Sequence, residues 1–137
     1  VEASDLSEEV RAGVRRNLMA ELARIALDRG QIDRAERLVT DHAAAIARHG
    51  DRFEKQRAHE LAGRLALARG EPKDALFELA GANQQDPRVL RLNARAFAAA
   101  GDRSAARAAC EQVIHFNQLS LPLALVRRPA RELLRSL

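Results

Sequence analysis

A glycine followed five residues later by an alanine recurs three times, each time between stretches rich in helix-forming residues. The segments are RGQIDRAE at residues 29–36, RGEPKDAL at 69–76 and AGDRSAAR at 100–107, which pair Gly30 with Ala35, Gly70 with Ala75 and Gly101 with Ala106. Glycine ends a helix easily because it adopts the left-handed conformation without strain. A small alanine early in the next helix lets two helices approach closely. The three segments therefore predict the turns of three helical hairpins.

Apolar residues in the flanking stretches recur at intervals of three to four residues. Before the first glycine they are Val10, Val14, Leu18, Leu22 and Ile25, which is the spacing of one helix face. No stretch alternates as a half-buried strand does, and aromatic residues make up only 3% of the chain. Aromatic and β-branched residues favour strands, whereas Ala and Leu favour helices. We therefore expect an all-α fold.

The 137 residues suffice for one domain. We expect a single domain, residues 1–137, of three antiparallel hairpins at about 7–50, 51–86 and 87–117, with a C-terminal capping helix at 119–137. Asp5 or Ser7 is predicted to cap the first helix and Ser120 the last. Pro129 should kink or split the capping helix. Because the chain begins with Val, we expect a fragment or mature part of a longer protein.

The helix pairs resemble the tetratricopeptide repeat (TPR), in which small residues and a glycine turn recur at fixed positions. The residues that carry the resemblance are Ala23, Gly30 and Ala35 in the first pair, Gly63, Gly70, Ala75, Ala82 and Pro87 in the second, and Ala94, Phe97, Gly101 and Ala106 in the third. The resemblance covers roughly residues 16–117. The aromatic positions of the family are largely missing, which leaves HEAT-like and other α-solenoids as alternatives. It implies a right-handed α-solenoid of about three hairpins.

In TPR-like arrays the first helix of each pair lines a concave groove. By that resemblance the candidate partner-binding groove consists of Asn17, Arg24, Asp28, Arg57, Glu60, Arg64, Arg88, Arg91 and Arg95. The second and third trios have the spacing i, i+3, i+7 and the first has i, i+7, i+11, so the members of each trio project along one ridge of a helix. Guanidinium groups bind carboxylates bidentately. The predicted ligand is therefore an acidic peptide or a chain's C-terminal carboxylate, unless Arg is simply the default polar residue of this chain.

These features predict a protein–protein interaction module that binds a protein or peptide partner. One alternative is self-association as a homodimer through the C-terminal helix, by way of Leu133, Leu134 and Leu137. Another is nucleic-acid binding through the same arginines, supported only by the net charge of +4. No aromatic residue is expected in the groove to stack on bases.

We expect no enzymatic activity, no catalytic residues, no cofactor and no metal. His42 and His49 lie on one helix, but two turns of rise, about 10 Å, separate them. Cys110 fits a packed thiol better than a nucleophile, and no phosphate-binding glycine loop is present. No membrane insertion is expected, because no apolar run approaches the ~20 residues that span a bilayer.

Overall fold

The computed structural model describes residues 7–116 and 121–137, and the side chains of all of these except His49 and residues 121–123. The described part is all-helical, with no strand, which confirms the predicted all-α class. Its helices are α1 (Glu8–Asp28), α2 (Ile32–His49), α3 (Arg52–Arg69), α4 (Pro72–Ala80), α5 (Pro87–Ala99), α6 (Arg103–Ile114) and α7 (Leu121–Ser136).

The helices begin and end where local chemistry favours it. Ser7 caps α1, since its side chain accepts a hydrogen bond from the Val10 N–H at 3.4 Å. The glycine turns are confirmed, because Gly30, Gly70 and Gly101 have φ of 67°, 75° and 85°, a region that a side chain would strain. The other predicted caps, Asp5 and Ser120, lie outside the described residues.

Contacts among the described helices follow one rule along the chain. Each helix packs against the next one, and each odd-numbered helix also packs against the next odd-numbered helix. Thus α1 contacts α2 and α3 but none of the later described helices. The rule places α1, α3, α5 and α7 side by side, so their shared surface can collect residues that are far apart in sequence.

Small residues set the distance between the paired helices. Ala35, Ala75 and Ala106 are completely buried just after their turns. In the second pair the helices approach so closely that a Cβ added to Gly63 would lie 2.6 Å from Leu79 Cγ. The five-residue spacing of glycine and alanine thus marks where two helices touch.

The face that α1 buries differs from the one that its large aliphatic residues suggest. Ala20, Ala23 and Ala26 face the core, where they pack with Val39 of α2 and Leu61 of α3. The stripe that predicted the helix lies largely in solvent: Val10, Val14, Leu18 and Ile25 are 45–57% exposed. Helix periodicity is therefore correct for α1, but α2 and α3 pack against its alanine face.

The C-terminal helix covers the last pair. Val126 and Ala130 are buried with Leu90 and Val113, and Leu133, Leu134 and Leu137 pack on a cluster that contains Ala94, Ala109 and Cys110. Pro129 was predicted to kink or split this helix; it does not split it, since α7 continues through it. Packing of apolar residues on both sides of the proline outweighs the single backbone hydrogen bond that proline cannot make. Among the described helices, none is both long and apolar enough to cross a membrane.

Candidate functional site

Two adjoining cavities lie along the odd-numbered helices, and we call their combined surface the trough. The first has a volume of about 340 Å³ and carries as many arginines as carboxylates. We call it the mixed pocket. Its lining consists of Glu21 and Arg24 of α1; Phe53, Gln56, Arg57 and Glu60 of α3; and Asn83, Asp86 and Arg88.

The second cavity has a volume of about 320 Å³ and holds five arginines against two carboxylates, so we call it the basic pocket. It shares three residues with the mixed pocket and adds an apolar wall from α7. Its lining consists of Arg24, Asp28, Glu60, Arg64, Arg88, Arg91, Leu92, Arg95, Leu125 and Val126.

The structure brings together eight of the nine residues predicted for the groove. Arg24, Asp28, Arg57, Glu60, Arg64, Arg88, Arg91 and Arg95 all line one or both pockets. Asn17 lines neither pocket. Its Oδ1 instead accepts a hydrogen bond from Arg57 Nη1 at 2.8 Å, so it holds a neighbouring arginine in place.

Two of the predicted arginines are engaged in contacts between α1 and α3. Arg57 binds Asn17, and Arg64 Nη2 binds Asp28 Oδ1 at 2.6 Å. A third hydrogen bond joins the same helices, donated by Arg16 Nε to Glu54 Oε1 at 2.7 Å. These charges hold α1 against α3 and are already hydrogen-bonded on one side.

A buried carboxylate stands at the junction of the two pockets. Glu60 is only 6% exposed. Its Oε1 lies 3.9 Å from both Arg24 Nη2 and Arg64 Nη1, too far for a hydrogen bond, and has no other partner among the described residues. The two guanidinium charges still stabilise the carboxylate electrostatically.

Arg88 is fixed by the residue that begins its own helix. Asp86 caps α5, accepting hydrogen bonds from the backbone N–H of Arg88 at 2.8 Å and from Arg88 Nη2 at 2.7 Å. The hydrogen bond to Asp86 raises the pKa of Arg88. Arg88 therefore contributes to the structure of α5 as well as to the trough.

Arg91 and Arg95 differ from the other arginines of the trough. Within the described parts of the chain, neither forms a hydrogen bond with a side chain or an ion pair with a carboxylate. Burial lowers the pKa of Arg91, the positive charges of Arg95 and Arg64 lower it further, and the charge of Asp28 opposes them. A guanidinium remains protonated at neutral pH, so the basic pocket holds positive charge that the described residues leave uncompensated.

Several lining residues were missed by reasoning from sequence, and Phe53 matters most. The expectation of a groove without aromatic residues is wrong, because Phe53 lines the mixed pocket and is 73% exposed. It stands four residues before Arg57, so extending the ridge of α3 by one step would have found it. Leu125 carried no comparable signal, since its position depends on how α7 packs against α5.

The residues weighed for metal or thiol chemistry lie elsewhere. In residues 7–116 and 121–137, no three His, Cys, Asp or Glu side chains converge on a point that could hold a metal ion. Cys110 is completely buried, and burial raises the pKa of its thiol. Raising the pKa lowers the thiolate fraction, which is the reactive form of cysteine.

Comparison with protein-family models, with curated proteins and with solved structures finds no match to this chain.

Proposed function

We propose that this chain is a protein-interaction module that binds an acidic segment of a partner protein in the trough. The observation that carries the proposal is the pair Arg91 and Arg95, which face the basic pocket without a carboxylate partner among the described residues. Arg91 is half-buried and Arg95 is exposed, so both guanidinium groups are accessible from solvent. A ligand carboxylate could therefore bind them through charge-assisted hydrogen bonds that no described side chain now makes.

The proposed architecture is a TPR-like, right-handed α-solenoid of antiparallel helix pairs. The contact rule supports it, because each helix touches only near neighbours in the chain, as expected for stacked repeats. In such an array α1, α3 and α5 are the first helices of their pairs. By its contacts with α5 and α6, α7 would take the position of a fourth first helix and close the end of the array.

The partner's chemistry follows from the balance of charges. The basic pocket has three more positive than negative side chains, counting Arg24, Arg64, Arg88, Arg91 and Arg95 against Asp28 and Glu60. Arginine forks bind carboxylates through two parallel hydrogen bonds. Nucleic acid fits less well, since a phosphate chain that continues into the mixed pocket meets as many carboxylates as arginines and gains no net attraction there.

The test uses the double variant Arg91→Glu with Arg95→Glu, which leaves Arg88 and its helix cap intact. Its control is Arg103→Glu with Arg107→Glu, two exposed arginines with the same spacing on α6, outside the trough. The probe is a fluorescent Gly/Ser peptide that carries two glutamates, blocked at both ends and measured by anisotropy. We expect the wild type and the control to bind it, and the trough variant to lose at least about tenfold in affinity.

Equal loss in both variants would assign binding to net charge and overturn the proposal. Single-stranded RNA of equal charge, titrated at two salt concentrations, forms the second arm. Tighter binding of RNA than of peptide, with a steep salt dependence that the trough variant abolishes, would replace the proposal with nucleic-acid binding. Thermal melting of each variant checks that the fold is kept.

A further inference from the structure

One aromatic side chain stands at the end of the trough that the uncompensated arginines do not reach. Phe53 is 73% exposed and lines the mixed pocket. A single exposed apolar residue needs no explanation by itself. The position of Phe53 does need an explanation, because this residue lies on the same ridge of α3 as Arg57, Glu60 and Arg64. The four residues have the spacing i, i+4, i+7, i+11.

We infer that Phe53 is a specificity-determining anchor, and that the bound segment places an apolar side chain on Phe53 and an acidic side chain between Arg91 and Arg95. The inference rests on the proposed function and adds the chemistry of a second contact. It commits to an extended peptide as the occupant of the trough.

The surroundings of Phe53 favour a peptide as the group that covers it. The mixed pocket has three arginines and three carboxylates, so its charges balance. Gln56 and Asn83 line the same pocket, and a side-chain amide can both donate to and accept from a peptide backbone. An uncharged apolar side chain with its backbone amides matches this lining. A nucleotide would bring a phosphate into a pocket that has no net positive charge to bind it.

The distance between the two contacts sets the register of the ligand. Phe53 and Arg64 are eleven residues apart on α3, which corresponds to about 16 Å of helix rise. Arg64 shares the basic pocket with Arg91 and Arg95. An extended chain advances about 3.3 Å per residue, so the apolar and acidic residues of the ligand should be about five positions apart.

The chain supplies a matched control for Phe53. Phe77 of α4 is 78% exposed, a similar fraction, and lines neither pocket of the trough. Replacing either residue with alanine removes the same atoms from a solvent-exposed position. Neither change should disturb folding, so a difference between the two variants reports on the trough.

The experiment measures blocked Gly/Ser peptides by fluorescence anisotropy against the wild type, Phe53→Ala and Phe77→Ala. Each peptide carries two glutamates, with or without a leucine about two, five or eight residues away, in both chain orders. For the wild type and Phe77→Ala, we expect leucine at about five residues to tighten binding roughly tenfold. Phe53→Ala should lose this gain and still bind the peptide without leucine.

The outcomes separate this inference from the proposed function. Binding that depends on glutamate but gains nothing from leucine would overturn the role of Phe53 and leave the proposed function standing. A leucine gain that survives in Phe53→Ala, or is lost equally in Phe77→Ala, would overturn it too. Absence of glutamate-dependent binding to the wild type would instead overturn the proposed function.

Discussion

Two glycines within helices have opposite surroundings, so the same substitution should have opposite effects. At Gly63 an added Cβ would lie 2.6 Å from Leu79 Cγ and 3.3 Å from the Ala75 carbonyl oxygen. Leu79 is completely buried and has no room to move aside. At Gly13 the nearest atom would be Arg16 Nη2, at 3.7 Å and on a flexible side chain.

Gly63→Ala should therefore destabilise the protein by about 1–3 kcal/mol, because overpacking forces α3 and α4 apart. Gly13→Ala should stabilise it by roughly 0.5–1 kcal/mol, because alanine loses less backbone entropy than glycine. Urea unfolding with unchanged m-values measures both free energies. Stabilisation by Gly63→Ala would show that the two helices are not in close contact.

A buried histidine should make stability depend on pH. His42 is 1% exposed, and its Nδ1 has no partner among the described residues. Burial lowers the pKa of His42, the charges of Arg57 and Arg16 lower it further, and Glu54 opposes them. The unfolded chain therefore binds a proton at a higher pH than the folded chain does. The contribution is complete above the unfolded pKa of about 6.5 and is lost as pH falls through that value toward the lowered folded pKa.

The measurement is the free energy of unfolding between about pH 7.5 and pH 5. We expect it to fall in the wild type and to fall less in His42→Leu, which cannot take up the proton. The window lies above the titration of Glu54 and Glu36, whose pKa values are lowered by hydrogen bonds from Arg16 and Arg69. Identical pH profiles of the wild type and the variant would contradict a neutral, buried His42.

Helix α7 contains a proline, a residue that usually interrupts a helix. Pro129 lies inside Leu121–Ser136 and gives up one backbone hydrogen bond. Pro129→Ala should restore it and stabilise the protein by about 1–3 kcal/mol. Pro72→Ala is the control, since proline in the first turn of α4 costs no hydrogen bond and its replacement should change stability by under about 1 kcal/mol. Destabilisation by Pro129→Ala would mean that α7 needs the shape proline imposes.

The helix ends could be predicted from the sequence, but the buried faces of the helices could not all be predicted. Glycine and proline act locally, so the turns at Gly30, Gly70 and Gly101 could be predicted from the sequence. Which face of a helix is buried depends on its neighbours. For α1, larger aliphatics such as Val14 suggested the wrong face, because close packing against α2 and α3 admits only alanine there.

The candidate site, too, could be predicted from the sequence only in part. Regular spacing within one helix identified ridges such as Arg57, Glu60 and Arg64. The structure places this ridge beside that of α5, with Arg57 in the mixed pocket, Arg64 in the basic pocket and Glu60 in both. Spacing gives no information on which arginines have partners. That Arg64 is paired and Arg91 is not depends on the position of Asp28 across the trough. Contacts between helices therefore decide which arginines remain unpaired, and the spacing of residues within one helix does not show these contacts.

At the scale of the whole molecule, each helix contacts only near neighbours in the chain, so removing one helix should destabilise only the helices that it contacts. A chain ending after Phe116 lacks α7, which uncovers Leu90 and Val113. Loss of a buried valine such as Val126 alone costs about 1.5–3 kcal/mol. Hydrogen exchange should show reduced protection in α5 and α6, while α1 and α2, which make no contact with α7, stay protected and serve as the internal control. Light scattering should find a destabilised monomer. Uniform loss of protection would indicate one cooperative core, and dissociation of a dimer without loss of stability would make α7 a subunit interface.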